Sequence, residues 1–230
     1  MTTILAIETS TEFASAAIIS ARGRFIRELS GVETHSKGII PALQSLLAEA
    51  GVQLSECDAL AFGCGPGAFT GIRTACGIIQ GMAYAADLPV LPVVSLRAMA
   101  QAAASHAPDS ELVCLLDARM GENYWAQYRN VNGALSETAQ PELLRLEEGE
   151  LLQRCASLRA VTVVTGNGVS VPDDFPYPVL SVMPHAREVA ELALQDFMQG
   201  LAQPASQAQP LYLRNKIALT TAERALKGHV

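Results

Sequence analysis

Residues Gly65 to Arg73 read Gly-Pro-Gly-Ala-Phe-Thr-Gly-Ile-Arg, and the chemistry such a run could do is to hold an anion. Glycine lets a ligand or another backbone come close. The amides that open a following helix are unpaired and favour negative charge. Gly65, Pro66, Gly67, Thr70, Gly71 and Arg73 are therefore candidate contacts. The same spacing equally describes a tight strand-to-helix corner with no ligand. A second cluster is Glu8-Thr9-Ser10-Thr11, an acid closing an apolar strand and followed by three hydroxyls. It suits a phosphate, and its carboxylate could hold a nucleotide-linked metal through water. Asp117 closes a similar run, Leu112 to Leu116. Each acid either points into a cleft or caps a turn, and for Asp117 the cap is the preferred reading.

Other reactive equipment is sparse. The turn lacks the G-x-x-x-x-G-K-[ST] of a P-loop. Gly63, Gly65 and Ala68, with Asp87 as the distant acid, match the dinucleotide fingerprint poorly, since Pro66 and Gly67 interrupt it. There is no G-x-S-x-G elbow and no H-E-x-x-H. His35, His106, His185 and His229 lie far apart, with none at the i, i+4 spacing that puts two ligands on one helix face. His35, beside Ser36 and Lys37, reads as a capping or surface residue. Cys64 could serve as a nucleophile, but a small buried thiol explains it better, with no histidine nearby in sequence to activate it. No metal site is expected.

The 230 residues carry a net charge of −7, and half are hydrophobic. That is enough for one large or two small domains with a substantial core. Nucleic-acid affinity rests largely on Lys and Arg, so an acidic chain is a poor candidate for gripping a phosphate backbone unaided. Arg22, Arg24 and Arg27 are the nearest approach to a basic patch. No apolar run approaches the ~20 residues needed to span a bilayer, and the first residues lack the features of a secretory signal. Five scattered cysteines form no C-x-x-C and suit a reduced cytoplasm. The expected location is cytoplasmic.

The elements that must position these residues follow one plan twice. Ile4 to Ile7 is a strand ending in Glu8; Ala14 to Ser20 and Phe25 to Leu29 form a hairpin about Arg22-Gly23. Ile39, Ile40, Leu43, Leu46, Leu47 and Ala50 mark one face of a helix ending at Gly51, and a strand at Ala59 to Phe62 then runs into glycines. In the second half, Leu112 to Leu116 ends in Asp117, and Tyr124 to Tyr128 leads to the hairpin signal Asn132-Gly133. A helix is expected over Pro141 to about Cys155, then a strand at Val161 to Val164 and Gly166-Asn167-Gly168. Such duplication predicts two α/β lobes with a boundary near Ser105 to Glu111. The expected divisions are an N-terminal lobe over 1–106, a C-terminal lobe over 107–205, and a segment over 206–230 packing back on the N-terminal lobe. Between Thr70 and Ala86 a helix carries Gly77 and Gly81 in its interior. Glycine there costs up to about 1 kcal/mol relative to alanine, so a compensating role such as close packing at a subunit interface is expected.

Four segments resemble the bacterial TsaB (YeaZ) family: Ile4 to Thr11, Gly65 to Arg73, Asp117 to Trp125, and Pro210-Leu211-Tyr212-Leu213-Arg214-Asn215. The resemblance implies two RNase H-like lobes of the actin/Hsp70/sugar-kinase (ASKHA) type arising from an internal duplication. It implies a non-catalytic partner of the paralogue TsaD and the ATPase TsaE in forming N6-threonylcarbamoyladenosine at position 37 of tRNAs that read ANN codons. Where TsaD carries a metal-binding His-x-x-x-His pair, this chain carries Ser95 and Met99, a poor donor set for a divalent metal beside phosphate. The resemblance places the TsaD or homodimer interface on the helices near His35 to Ala50 and Phe69 to Ala86. Ile39, Leu43, Leu46, Ala75, Cys76, Gly77, Ile79, Gln80, Gly81 and Tyr84 are the candidate contacts, with Arg119 and Glu122 facing TsaE. No cofactor is expected on the isolated chain; ATP or ADP would enter with the complex, and tRNA is reached indirectly. The alternatives are an ASKHA-type phosphotransferase or ATPase and, with less support, a zinc peptidase.

Overall fold

The computed structural model describes residues 2–29 and 38–214. Its first sheet contains β1 (Ile4–Glu8), β2 (Ala14–Ser20), β3 (Gly23–Leu29), β4 (Ala59–Gly65) and β5 (Val90–Val94), in the order β3-β2-β1-β4-β5. The second contains β6 (Glu111–Arg119), β7 (Glu122–Val131), β8 (Ala134–Leu144), β9 (Val161–Thr165) and β10 (Val179–Ser181), in the order β10-β9-β6-β7-β8. Counted from the first strand of each half, the two orders are the same. The first three strands of each half pair antiparallel and the last two join in parallel. This is the RNase H-like arrangement, present twice, and it gives the expected α/β class.

Side chains alternate across a strand, so each sheet has two faces to cover. On the first sheet, Leu5, Ile7, Ile18, Leu60 and Phe62 face α1 (Ile39–Ala50) and α2 (Phe69–Ala86). Ile4, Ala6, Ala17, Ala59 and Ala61 face the other way, toward α5 (Ala186–Met198). On the second sheet, Leu112, Cys114, Leu116, Ala126 and Tyr128 receive α3 (Ser95–Ala103). Val113, Leu115, Trp125 and Val163 pack with Cys155 of α4 (Glu150–Ala156). The helix that follows β5 thus covers the second sheet, while the last helix returns to the first. Arg97 of α3 and Asp196 of α5 join the two by paired hydrogen bonds of 2.7 and 2.9 Å. This packing does not follow the expected division at residue 205, because α5 belongs with the first sheet.

Local signals fix several boundaries. α1 ends at Gly51, whose φ of 60° reverses the chain without Cβ strain. The β7–β8 turn uses Asn132 and Gly133, both at positive φ, as an Asn-Gly hairpin requires. The helix expected over Pro141 to Cys155 is a correction: β8 continues to Leu144, pairing Glu142 with Trp125 and Leu143 with Tyr124, and α4 begins only at Glu150. Pro141 is tolerated because β8 is an edge strand. After α5 the chain runs along the outer edge of β5, where Val90 and Gln203 exchange backbone hydrogen bonds of 2.8 and 2.9 Å. A 3₁₀ turn at Ala205–Gln207 then rests on α2, with Gln80 Nε2 donating to the Ala205 carbonyl at 3.0 Å. Of the segment expected over 206–230, Ala208 and Leu211 pack on the first lobe and Leu213 on the second, and 215–230 lie outside the described residues.

Candidate functional site

β4 delivers the glycine turn to the first lobe's rim. Gly65 has φ 102°, and the Gly65–Pro66 peptide is cis. The close approach that the glycines permit is filled by the protein itself. A Cβ on Gly63 would enter the space of the Glu8 carboxylate, and one on Gly67 would meet the backbone of Ser10. The Ala68 amide donates to the Ser10 carbonyl at 2.6 Å, and Thr9 Oγ1 donates to the Gly71 carbonyl at 2.8 Å. The turn is first of all a socket for residues 8–10.

Glu8 does not point into a cleft. It is fully buried, accepting from the Ser10 amide at 2.5 Å and from Ser95 Oγ at 2.9 Å. Burial pushes its carboxyl above the ordinary value, partly offset by the hydrogen bonds from Ser10 and Ser95. Ser95 thus stands beside the carboxylate, while Met99 is buried among Leu96, Ala100 and Cys114 in the core. Among the described residues no group of three or more His, Cys, Asp or Glu could hold a metal. Cys64 is buried, and its thiol is pushed up to about 12 by burial first and by the nearby Glu8 carboxylate second. Both effects disfavour the thiolate that a nucleophile needs.

Between the lobes lies a cleft of about 640 Å³. Ser10, Thr11, Gly67, Thr70 and Gly71 line one wall, Leu116 to Met120, Tyr124 and Asn167 the other, and Leu211 to Arg214 close one end. Of the first acidic cluster, only Ser10 and Thr11 reach it. Gly65, Pro66 and Arg73 are not in its lining. Asp117 does line it, yet caps its own turn: Oδ1 accepts from the Arg119 amide at 2.8 Å and Oδ2 lies 3.2 Å from the Arg119 guanidinium. Arg119 remains exposed at the hairpin tip, whereas Glu122 is held by Arg214 at 2.6 Å. Arg22, Arg24 and Arg27 form no free basic patch. Arg24 pairs with Glu191, Arg27 with Glu49, and Arg22 donates to the carbonyls of Ala50 and Gly51.

The helix residues expected at an interface divide in two. Ile39, Leu43, Leu46, Ala75, Cys76 and Ile79 are buried against the first sheet within this chain. An apolar stripe at helical spacing is first of all the stripe that faces the chain's own core. Gly77, Gly81 and Tyr84 do lie outside, with Gln80 half-buried, and nothing stands within 4 Å of a Cβ built on either glycine. Sequence reasoning did not include Phe69 and Arg73, which are exposed on the same helix. The i, i+4 spacing of Phe69 and Arg73 with Gly77 and Gly81 was the available signal.

Two RNase H-like sheets joined across a cleft define a two-lobed α/β protein of the actin/Hsp70/sugar-kinase type. The family described as "TsaD: tRNA N6-adenosine threonylcarbamoyltransferase" matches residues 17–224. The chain is 37% identical to the tRNA threonylcarbamoyladenosine biosynthesis protein TsaB of Haemophilus influenzae, over 94% of each chain. It is 35% identical to the protein of that name from Escherichia coli K12, over 94% of this chain and 96% of the other. The solved structure of YeaZ from Pseudomonas aeruginosa superposes with a TM-score of 0.80 at 34% identity, covering 93% of this chain and all of that one. The chain belongs to the TsaB (YeaZ) family.

Proposed function

We propose that this chain is a non-catalytic subunit of the assembly that forms N6-threonylcarbamoyladenosine at position 37 of ANN-decoding tRNAs, docking on TsaD and acting with TsaE. The relatives' names supply the pathway. The observation that carries the docking role is the outer face of α2, where Gly77 and Gly81 stand bare. Two interior glycines weaken a helix, and within the described chain nothing approaches them to compensate. A partner helix laid along this face would meet backbone at close range, flanked by Arg73 and Tyr84 of the same helix. A standard stable interface buries about 1,600 Å² in total.

The cleft supports the non-catalytic part of the reading. Glu8 is sealed from it by Ser10 and Ser95, and Asp117 is occupied by Arg119. A nucleotide-linked divalent metal needs oxygen ligands that are free to face it, and neither carboxylate is. On this reading ATP or ADP enters with the complex, and calorimetry on the isolated chain is expected to show no micromolar ATP binding. The deciding experiment is threonylcarbamoyladenosine formation from threonylcarbamoyl adenylate, tRNA, TsaD and TsaE, with and without this chain. Equal product without it overturns the assisting role.

A further inference from the structure

Four residues cross from one lobe to the other and touch both. The Leu211 amide donates to the Cys64 carbonyl at 2.7 Å, and its side chain packs into the first-lobe core. Tyr212 stacks on Phe69 with ring centroids 5.7 Å apart, and its hydroxyl accepts from Arg73 Nε at 2.6 Å. The Arg73 guanidinium in turn lies 3.7 Å over the Phe69 ring. Leu213 packs into the second-lobe core. Arg214 donates to the carbonyls of Ala118 and Arg119 at 2.8 and 3.3 Å and pairs with Glu122 at 2.6 Å. Leu211 and Leu213 are two residues apart, a reach of about 7 Å, so the two cores are stitched together by one short length of backbone.

We propose that residues 211–214 form a strap coupling the outer face of α2 to the β6–β7 hairpin, so that closure of the inter-lobe cleft responds to what occupies that face. The coupling has a physical route. The ring and hydroxyl of Tyr212 are held by Phe69 and Arg73, which sit on the exposed stripe of α2 two turns and one turn before Gly77. Arg214 holds a hairpin whose tip carries Arg119 and Met120 at φ 65° and 60°, a conformation uncommon outside glycine and maintained by surrounding contacts. A group laid on α2 that shifts Arg73 therefore shifts Tyr212, and a two-residue length of backbone carries the shift to Arg214. The cleft's end wall moves with it, because Leu211 to Arg214 form that wall.

The coupling is a property of this chain alone; its regulatory use rests on the docking role proposed above. Hydrogen exchange over residues 116–124 reads the hairpin, and that over β1 and β4 reads the core. Arg214→Ala is expected to speed hairpin exchange about tenfold while leaving the core protected. Tyr212→Ala, which removes the ring and hydroxyl contacts to α2, is expected to speed it about fivefold, and Tyr212→Phe, which keeps the ring, less than twofold. An unchanged hairpin in folded Tyr212→Ala overturns the strap whatever TsaD does. If Tyr212→Ala fails to fold, Arg73→Met, which removes the hydrogen bond to Tyr212 and the guanidinium over Phe69, carries the same test, and an unchanged hairpin in folded Arg73→Met overturns the strap. Adding TsaD to the wild-type chain is then expected to alter exchange over 116–124. Binding without that change overturns the regulatory use and leaves docking standing; no binding overturns docking, and the regulatory use with it, and leaves the strap standing.

Discussion

Replacing Gly63 by alanine puts a methyl group where the Glu8 carboxylate lies, and overpacking of this kind costs about 1–3 kcal/mol. A matching loss in urea unfolding is expected. Glu8→Gln tests the same socket from the other side. The amide side chain keeps both contacts, its carbonyl accepting from the Ser10 amide and its NH₂ donating to Ser95 Oγ. Because burial raises the Glu8 carboxyl above 4.5, the folded protein keeps this proton to a higher pH than the unfolded chain. Its contribution to stability therefore falls as pH rises from 4.5 through the raised value. Glu8→Gln is expected to melt with wild type near pH 4.5 and above it at neutral pH, and superimposable melting curves across that range would refute the assignment. From the sequence, Glu8 and the glycine turn were both visible as special. What could not be read was that they answer one another across 55 residues, so that the space over Gly63 is filled by the chain's own Glu8 carboxyl group.

At the scale of elements, the outer face of α2 separates stability from assembly. Gly77→Ala is expected to raise the stability of the isolated chain by up to about 1 kcal/mol, since open space surrounds the site and alanine is the better helix former. Gly77→Leu or Gly81→Leu is expected to leave the circular dichroism spectrum unchanged and to abolish co-elution with TsaD. A folded mutant still bound to TsaD sinks the docking face. α2 itself was legible to within a residue, expected between Thr70 and Ala86 and found over Phe69–Ala86, because a glycine turn opens it; the structure closes it at Asp87, at φ 53°. Its orientation was less so. Ile72, Ala75, Cys76 and Ile79 mark an apolar face, but only the packed sheet reveals that this face is spoken for. The strand–helix error over Pro141 to Leu144 has a related cause. The apolar residues there are Leu143, Leu144 and Leu146, too few to set a period, and pairing with β7 decided the outcome.

On the scale of the whole molecule, the crossing of α3 and α5 makes the lobes dependent on each other. Arg97→Met leaves Asp196, only 9% exposed, without its partner, and removing one half of such a pair costs about 3 kcal/mol. Because α3 packs on the second sheet and α5 on the first, a single unfolding transition at lower denaturant is expected, monitored by Trp125 fluorescence and far-ultraviolet dichroism together; two separated transitions would show the lobes to be independent. The duplication was readable from the order of its signals, but the exchange of helices between lobes was not, since nothing local distinguishes a helix that stays from one that crosses. The bridge from Gln203 to Val90 has a further effect. β3, at one border of the first sheet, carries Arg24, Arg27 and Glu28, charges that discourage a foreign strand. β5, at the other border, reads Val-Leu-Pro-Val-Val and has no such guard beyond Pro92. The returning backbone shields it, so a chain cut after residue 200 would offer an uncharged, unpaired border to its neighbours and polymerise sheet to sheet.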